Sequence, residues 1–519
     1  MRKFFLFAAL ALSMMIQAAE LDYYKTLVDE QAAPTSGQTM LYHLEYAADG
    51  SLYLLSSYST ASCEETGLHF AGNTYPGATA SKWGKRDGEI KLTNIRNSFL
   101  AKLDGEGNLL WAKADTTGDY DLSNTALLPT VDGGVLYADK FRTRKGVYMS
   151  FFNLYDANGA LVASNNMSFT NFDSIVVNDK KVARKEAFSW AGAAQDDAGY
   201  IYITGLQADT LLPTWNDSIA PRKAWNTDGN MSSNCNTVIL KYAIQAQSQD
   251  LVYVGAVINS DELVYDRPLG LHYENGKLYV AGTYKKETEA GLYAACYSTD
   301  LEREFVVYHP IDGSLQLQQT KFADGKIFVC GGLSKGSITV GEKTIATNGN
   351  FNHGMVYIMN QADGRVLDFD VHPAADNALN ITVAAYPAEN GFVAYNHETL
   401  NGVQMVLNYD DHMTLLSADT IATGGGSSTI SAVGRNADGT RTAVGLRART
   451  TADYNFLNEE PMNFAELTNW YSIVAVLKEE EEQAIDQIND PLPVTNDKLI
   501  INGHLYIRHN GKIYNMLGF

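Results

Sequence analysis

A Gly-containing turn followed by an alternating apolar strand recurs seven times along the chain, and few folds accommodate such a recurrence. The instances are DGSLYLLSSY from Asp49, DGGVLYADKF from Asp132, DAGYIYITGL from Asp197, ENGKLYVAGT from Glu274, ADGKIFVCGG from Ala323, ENGFVAYNHE from Glu389 and ADGTRTAVGL from Ala437. The glycines ahead of the strands, at 50, 134, 199, 276, 325, 391 and 439, are 84, 65, 77, 49, 66 and 48 residues apart. The shortest spacings fit one four-stranded propeller blade, and the longer ones imply insertions. Each copy has a second half of strand, polar turn and strand. SFLAKLDGEGNLLWAKAD from Ser98, MSFFNLYDANGALVAS from Met149, MVYIMNQADGRVLDFDV from Met355 and MVLNYDDHMTLLSAD from Met405 show it best. The last copy ends at YSIVAVLK, Tyr471 to Lys478, and lacks a fourth strand, while LDYYKTLV, Leu21 to Val28, precedes the first copy without a partner. Joining the two completes a ring and removes two open sheet edges. The expected fold is all-β: a seven-bladed β-propeller over 20–478 closed by an N-terminal strand.

These units resemble the propeller repeats of secreted bacterial proteins with the pattern GNxYVTG followed by DAFVAKLDxxGxxLW. NSFLAKLDGEGNLLWAK, DDAGYIYITG and NGKLYVAGT carry the likeness. It spans roughly Met40 to Lys478 and implies a fold; that family has no single activity to transfer.

The first residues, MRKFFLFAALALSMMIQAAE, combine basic Arg2 and Lys3, an apolar Phe4–Ile16 and small residues at Ala18 and Ala19, the pattern of a secretion signal over 1–19. The apolar run is too short to span a bilayer, and no later stretch is long enough. After Lys478 an acidic, Pro-containing linker, 479–497, leads into KLIINGHLYIRHNGKIYNMLGF, 498–519. Asn502-Gly503 and Asn510-Gly511 there are hairpin turn signals, so the tail reads as a small β-meander. QAID, NGHLYIRHNGKIYN and the final LG make this tail similar to the sorting segment of type IX secretion in the Bacteroidota. That implies export across the outer membrane; the segment is shorter than a full sorting domain, and a structural tail is the alternative. The expected location is extracellular or the outer-membrane surface, with the periplasm as the remaining alternative.

With 39 Lys and Arg against 60 Asp and Glu, the net charge is −21, and no basic cluster offsets it, which excludes nucleic acid as an expected partner. Four cysteines, Cys63, Cys235, Cys296 and Cys330, show no metal or redox spacing. Cys296 and Cys330 lie in apolar strands and read as buried thiols. No GxSxG, HExxH, phosphate-binding loop or Asp-box is present, so the catalytic residues are unknown and no cofactor or metal is expected. Asp104-Gly105-Glu106-Gly107-Asn108 has a faint calcium-loop character but lacks the remaining ligands, and a tight turn explains it better.

The extra length falls between second and third strands, at about Ser57–Asn97, Ala208–Asn236, Leu333–Gly354 and Ala448–Asn469. In a propeller these connections share one face, and long loops on a rigid scaffold concentrate binding residues. Trp83, Tyr75, Trp215, Trp225, Tyr454 and Phe456 are the candidate ligand contacts, since aromatic faces stack on sugars or protein anchors. The expected function is a binding scaffold for a glycan or an envelope or extracellular protein, handled by the export machinery through its two ends. The alternative is a glycan-active hydrolase or lyase with its site over the central channel, marked by two carboxylates about 5 to 10 Å apart, one of raised pKa.

Overall fold

The computed structural model describes residues 20–29, 38–59, 67–77, 96–116, 119–120, 122, 125–142, 148–169, 175–177, 180–182, 188–207, 211–213, 217–219, 236–245, 250–259, 265–286, 288–347, 352–372, 379–399, 402–424, 428–449, 453–456, 462–463, 470–478, 497–501, 504–509 and 512–515. Among them every regular element is a β-strand. Residues Ala19–Glu479 form one compact unit, and the C-terminal stretch from Glu480 belongs to another.

The larger unit is a propeller-like succession of four-stranded antiparallel groups. Gln38–Tyr46, Leu52–Ser59, Arg96–Leu103 and Leu109–Asp115 pair in that order. Ala126–Pro129, Val135–Arg142, Tyr148–Tyr155 and Leu161–Phe169 follow. Then come Phe188–Gln195, Ile201–Gln207, Asn236–Gln245 and Asp250–Ile258, and Tyr265–Glu274, Lys277–Lys285, Ala290–Ser298 and Arg303–Pro310. The next two groups are Asp312–Ala323, Lys326–Val340, His353–Asn360 and Val366–His372, and Asn380–Ala388, Gly391–Glu398, Val403–Asp410 and Leu415–Gly424. The last group has three strands from its own stretch, Thr429–Arg435, Arg441–Arg449 and Trp470–Lys478. Its fourth is the N-terminal strand Glu20–Asp29, antiparallel to Trp470–Lys478 from Glu20 opposite Lys478 to Leu27 opposite Ser472.

Alternation along the second strands sends their side chains into two different cores. Leu52, Leu54 and Tyr58 face one neighbour and Tyr53 and Leu55 the other; Ile327 and Val329 diverge from Phe328 and Cys330 in the same way. Each apolar cluster is built from two successive groups. One more joins the last group, through Ala432, Ala443, Val474 and Val476, to the first, through Leu41, Leu44 and Leu54, with Leu27 of the N-terminal strand between them. Cys296 and Cys330 are buried free thiols, as the sequence implies, Cys330 within one of these cores.

The turns repeat one local chemistry. Asp104, Asp156, Asp196 and Asp410 each accept backbone N–H bonds from residues two and four further on, at 2.7–3.0 Å. This is the Asx-turn geometry that makes Asp a turn initiator. Asp104 also accepts Asn108 Nδ2 at 2.9 Å, so its carboxylate is consumed by the turn. Gly107 has φ +80°, and a Cβ there would lie 2.5 Å from the Tyr23 ring of the N-terminal strand, so both conformation and space require glycine. Arg441 ties the same corner, reaching Asp22 at 3.2 Å and donating to Gly105 O.

Because successive strands are antiparallel, these short turns all lie at one end of the strands, and the long connections lie at the other. Several of those connections carry strands of their own. Gly67–Phe70 and Asn73–Pro76 form a hairpin whose first strand pairs with the N-terminal strand. Lys326–Val340 runs past the expected loop start at Leu333 and pairs with Lys343–Ala346. The C-terminal unit contains Asp497–Ile501, His504–His509 and Lys512–Asn515 as an antiparallel three-stranded meander. Among the described residues no helix is long and apolar enough to cross a membrane.

Closure through the N-terminal strand predicts an asymmetry between two leucines. Leu27→Ala, at a fully buried site, should cost about 3 kcal/mol in urea unfolding, while Leu110→Ala, 53% exposed on an outer strand, should cost under about 0.5 kcal/mol. Equal responses would remove the N-terminal strand from the closure.

Candidate functional site

The first strands are the inner ones, and those of every group but the sixth border a cavity of about 790 Å³. Its wall is built from Met40–His43 with Glu45, Thr125–Pro129, Trp190–Gln195, Arg267–Tyr273, and Leu315 with Leu317–Phe322, and Ser431 comes from the last group. Two glycines let these strands approach. A Cβ on Gly192 would sit 2.7 Å from Leu271 N, and one on Gly270 would press on Phe322 at 3.1 Å.

An ion pair crosses the cavity wall. Lys321 Nζ lies 2.9 Å from Glu45 Oε1, joining inner strands of groups that are not neighbours in the chain, and the side chains are 14% and 31% exposed. Burial works against the Lys321 charge, but the Glu45 carboxylate together with Tyr386 more than offsets it, and the ammonium is held above its ordinary range. Lys321 also lies 5.6 Å from the centroid of Tyr386, whose hydroxyl donates to Val433 O at 2.9 Å. His43 Nε2 meets Thr125 Oγ1 at 2.6 Å. The same hydroxyl lies 3.2 Å from Leu122 O. Burial first, and the Lys321 charge second, push the His43 pKa down to about 4. His272 stacks on Phe322, centroids 5.4 Å apart and planes at 12°, and burial lowers its pKa too.

Among the described lining residues Glu45 is the single carboxylate, and Lys321 occupies it. The carboxyl group pushed up to about 6 by burial is Asp266, fully enclosed and outside the cavity lining, where it accepts Thr237 N at 2.8 Å and Asn259 Nδ2 at 3.0 Å. Among the described residues no pair of carboxylates of the glycosidase kind faces the cavity. No group of three or more His, Cys, Asp or Glu gathers as a metal site among the described residues.

Of the residues proposed from sequence, Tyr75, Tyr454 and Phe456 lie among the described residues. Tyr75 is half-buried and edge-on to Phe99, centroids 4.9 Å apart, and packs against the core between the last and first groups. Phe70 is buried beside it. Tyr454 and Phe456 belong to the short strand Asp453–Phe456, whose backbone pairs with Leu415–Gly424. Trp83, Trp215 and Trp225 lie outside the described residues. His43, Glu45 and Lys321 were not legible as site residues, because each sits in an ordinary alternating strand and acquires its partner only when the inner strands converge.

No protein-family model matches the chain, and no curated protein does. Solved structures with similar strand arrangements include the polysaccharide lyase Uly1, at 8% identity and TM-score 0.45 over 89% of this chain and 100% of that one. The RRP9 WD40 repeats overlap at 8% identity and TM-score 0.41, over 87% of this chain and 98% of theirs. An ulvan lyase of a new polysaccharide lyase family overlaps at 11% identity and TM-score 0.40, over 83% and 97%. Scores this low leave the fold resting on the strand pairing itself.

Two predictions follow the charges. Glu45→Gln leaves Lys321 without its partner in the wall and should lower the urea midpoint, whereas pairing it with Lys321→Met should recover most of the loss; a double variant no better than the single would deny the ion pair that role. His43 and His397 both have folded pKa values near 4, below the unfolded value of 6.5. The folded state then binds fewer protons, so their contribution is complete above pH 6.5 and drains away as pH falls toward 4. His43→Gln with His397→Gln should flatten the stability profile across that window, measured by urea unfolding at successive pH values.

Proposed function

We propose that the chain is an exported seven-bladed propeller, closed by its N-terminal strand, that binds an extracellular glycan or envelope protein and performs no chemistry on it. The blade count is supported by the seven four-stranded groups and by one apolar cluster between each successive pair, the last and first included. The observation that carries the binding reading is the inequality of the two ends. Short Asp and Gly turns close one end, while the other carries the connections 60–95 and 208–235, and the cavity between the inner strands holds no free carboxylate pair among its described residues. Such an arrangement is a rigid scaffold presenting long loops, the usual division of labour in binding proteins. Trp83, Trp215, Trp225, Tyr454 and Phe456 are the proposed loop contacts; Tyr75 is engaged on Phe99. Residues 1–19 act as the export signal and 498–519 as a sorting segment, placing the protein outside the cell or on the outer-membrane surface.

A glycan array probed with purified residues 20–478 tests this, with Trp83→Ala, Trp215→Ala and Trp225→Ala beside it. Binding that these changes abolish is the expected outcome. Turnover of a bound glycan would overturn the non-catalytic reading, and blank arrays would direct the search to envelope proteins.

A further inference from the structure

Six inner strands lose register with their neighbours near mid-length. The breaks fall between Leu41 and His43, Trp190 and Gly192, Pro268 and Gly270, Leu317 and Thr320, Thr382 and Ala384, and Ile430 and Ala432. The residues passed over are Tyr42, Ala191, Leu269, Gln318 with Gln319, Val383 and Ser431. A bulge leaves its extra residue outside the ladder and re-aims the side chain, and bulges are enriched beside functional sites. All of these except Val383, which is buried in an apolar cluster, line the central cavity. Of their neighbours, Ile430 and Ala432 are buried in the cores and take no part in the wall. The bulges of three adjacent inner strands stand side by side, since Gly192 abuts Leu271 N and a Cβ on Gly270 would lie 3.4 Å from Thr320 Cβ.

We propose that this ring of bulges is the binding site for a neutral saccharide. The inference rests on the binding reading above and locates the ligand. Ala191 and Leu269 give the ring an apolar arc, and Tyr42, Ser431, Gln318 and Gln319 a polar one, which matches a sugar's C–H face and hydroxyl edge. The doubled bulge is the most telling part: Gln318 is exposed on the cavity wall, and Gln319 Oε1 and Thr320 Oγ1 beside it are enclosed with no hydrogen-bond partner. Turning the Gln319 amide toward a ligand's hydroxyl therefore breaks no existing bond at Oε1 and relieves a costly unpaired acceptor. The ligand is neutral because Glu45 and Lys321 cancel each other, Arg267 already has a partner, and His43 and His272 are held uncharged. The volume of about 790 Å³ lies in the range of small-molecule sites.

The full-chain protein is screened against neutral glucan, mannan and galactan oligosaccharides beside uronate-bearing and sulfated ones, and the bound oligosaccharide is then titrated by calorimetry. Gln319→Leu and Tyr42→Phe should each weaken neutral-oligosaccharide binding, Gln319→Leu by about tenfold or more, with the urea midpoint confirming that both variants fold. Gln319→Asn, which keeps the amide, is the companion should the leucine variant unfold, and it should bind more weakly than wild type. Unchanged affinity in folded Gln319→Leu, together with loss in the Trp variants, would overturn the cavity site while sparing the binding reading. Binding restricted to acidic oligosaccharides would also overturn it. A blank array overturns it outright, and capture of an envelope protein in that case would still leave the proposed scaffold role standing.

Discussion

The second strand of every group is buried on both faces, and the rest of the structure depends on that. A sheet with one apolar face can be completed by a single partner, but a strand whose alternate residues enter two different cores needs a neighbour on each side. Leu54 and Leu55, adjacent in sequence, belong to different clusters. No group can satisfy this requirement alone, and the succession satisfies it for all members only when the last group meets the first. Leu27, Ala443 and Val474 show where that happens.

The cavity is a by-product of the same requirement. Once the outer three strands of each group are committed to packing, the innermost strands are free to vary, and the variation is where chemistry enters. Bulges leave residues out of the ladder on these strands, all but Val383 on the cavity wall, and the Glu45–Lys321 pair joins inner strands that sequence keeps far apart. A polar cavity is thus built inside an apolar frame at little cost to the frame.

Much of this architecture was legible in the sequence because its determinants are local. Asp104 and Gly107 announce their turn within five residues, and alternation in LYLLSSY or KLYVAG declares a strand without reference to anything distant. Even the pairing of Leu21–Val28 with Tyr471–Lys478 could be deduced, since one group lacked a strand and one strand lacked a group. The site was less legible for the complementary reason. A bulge is a mismatch between two strands, so nothing in the stretch QLQQTKF marks Gln318 and Gln319 as the residues passed over. Aromatic loop residues were a poor guide where packing claimed them, as Phe99 claims Tyr75.

The closing strand also sets an order of events. Glu20–Asp29 is made first, yet its partner Trp470–Lys478 comes at the far end of the unit, the greatest sequence separation of any strand pairing in it. Closure of so non-local a contact carries a large loop-entropy cost and is slow. A chain synthesised from its N-terminus therefore cannot complete this fold until almost all of it has been made. The first strand to appear waits longest for its partner.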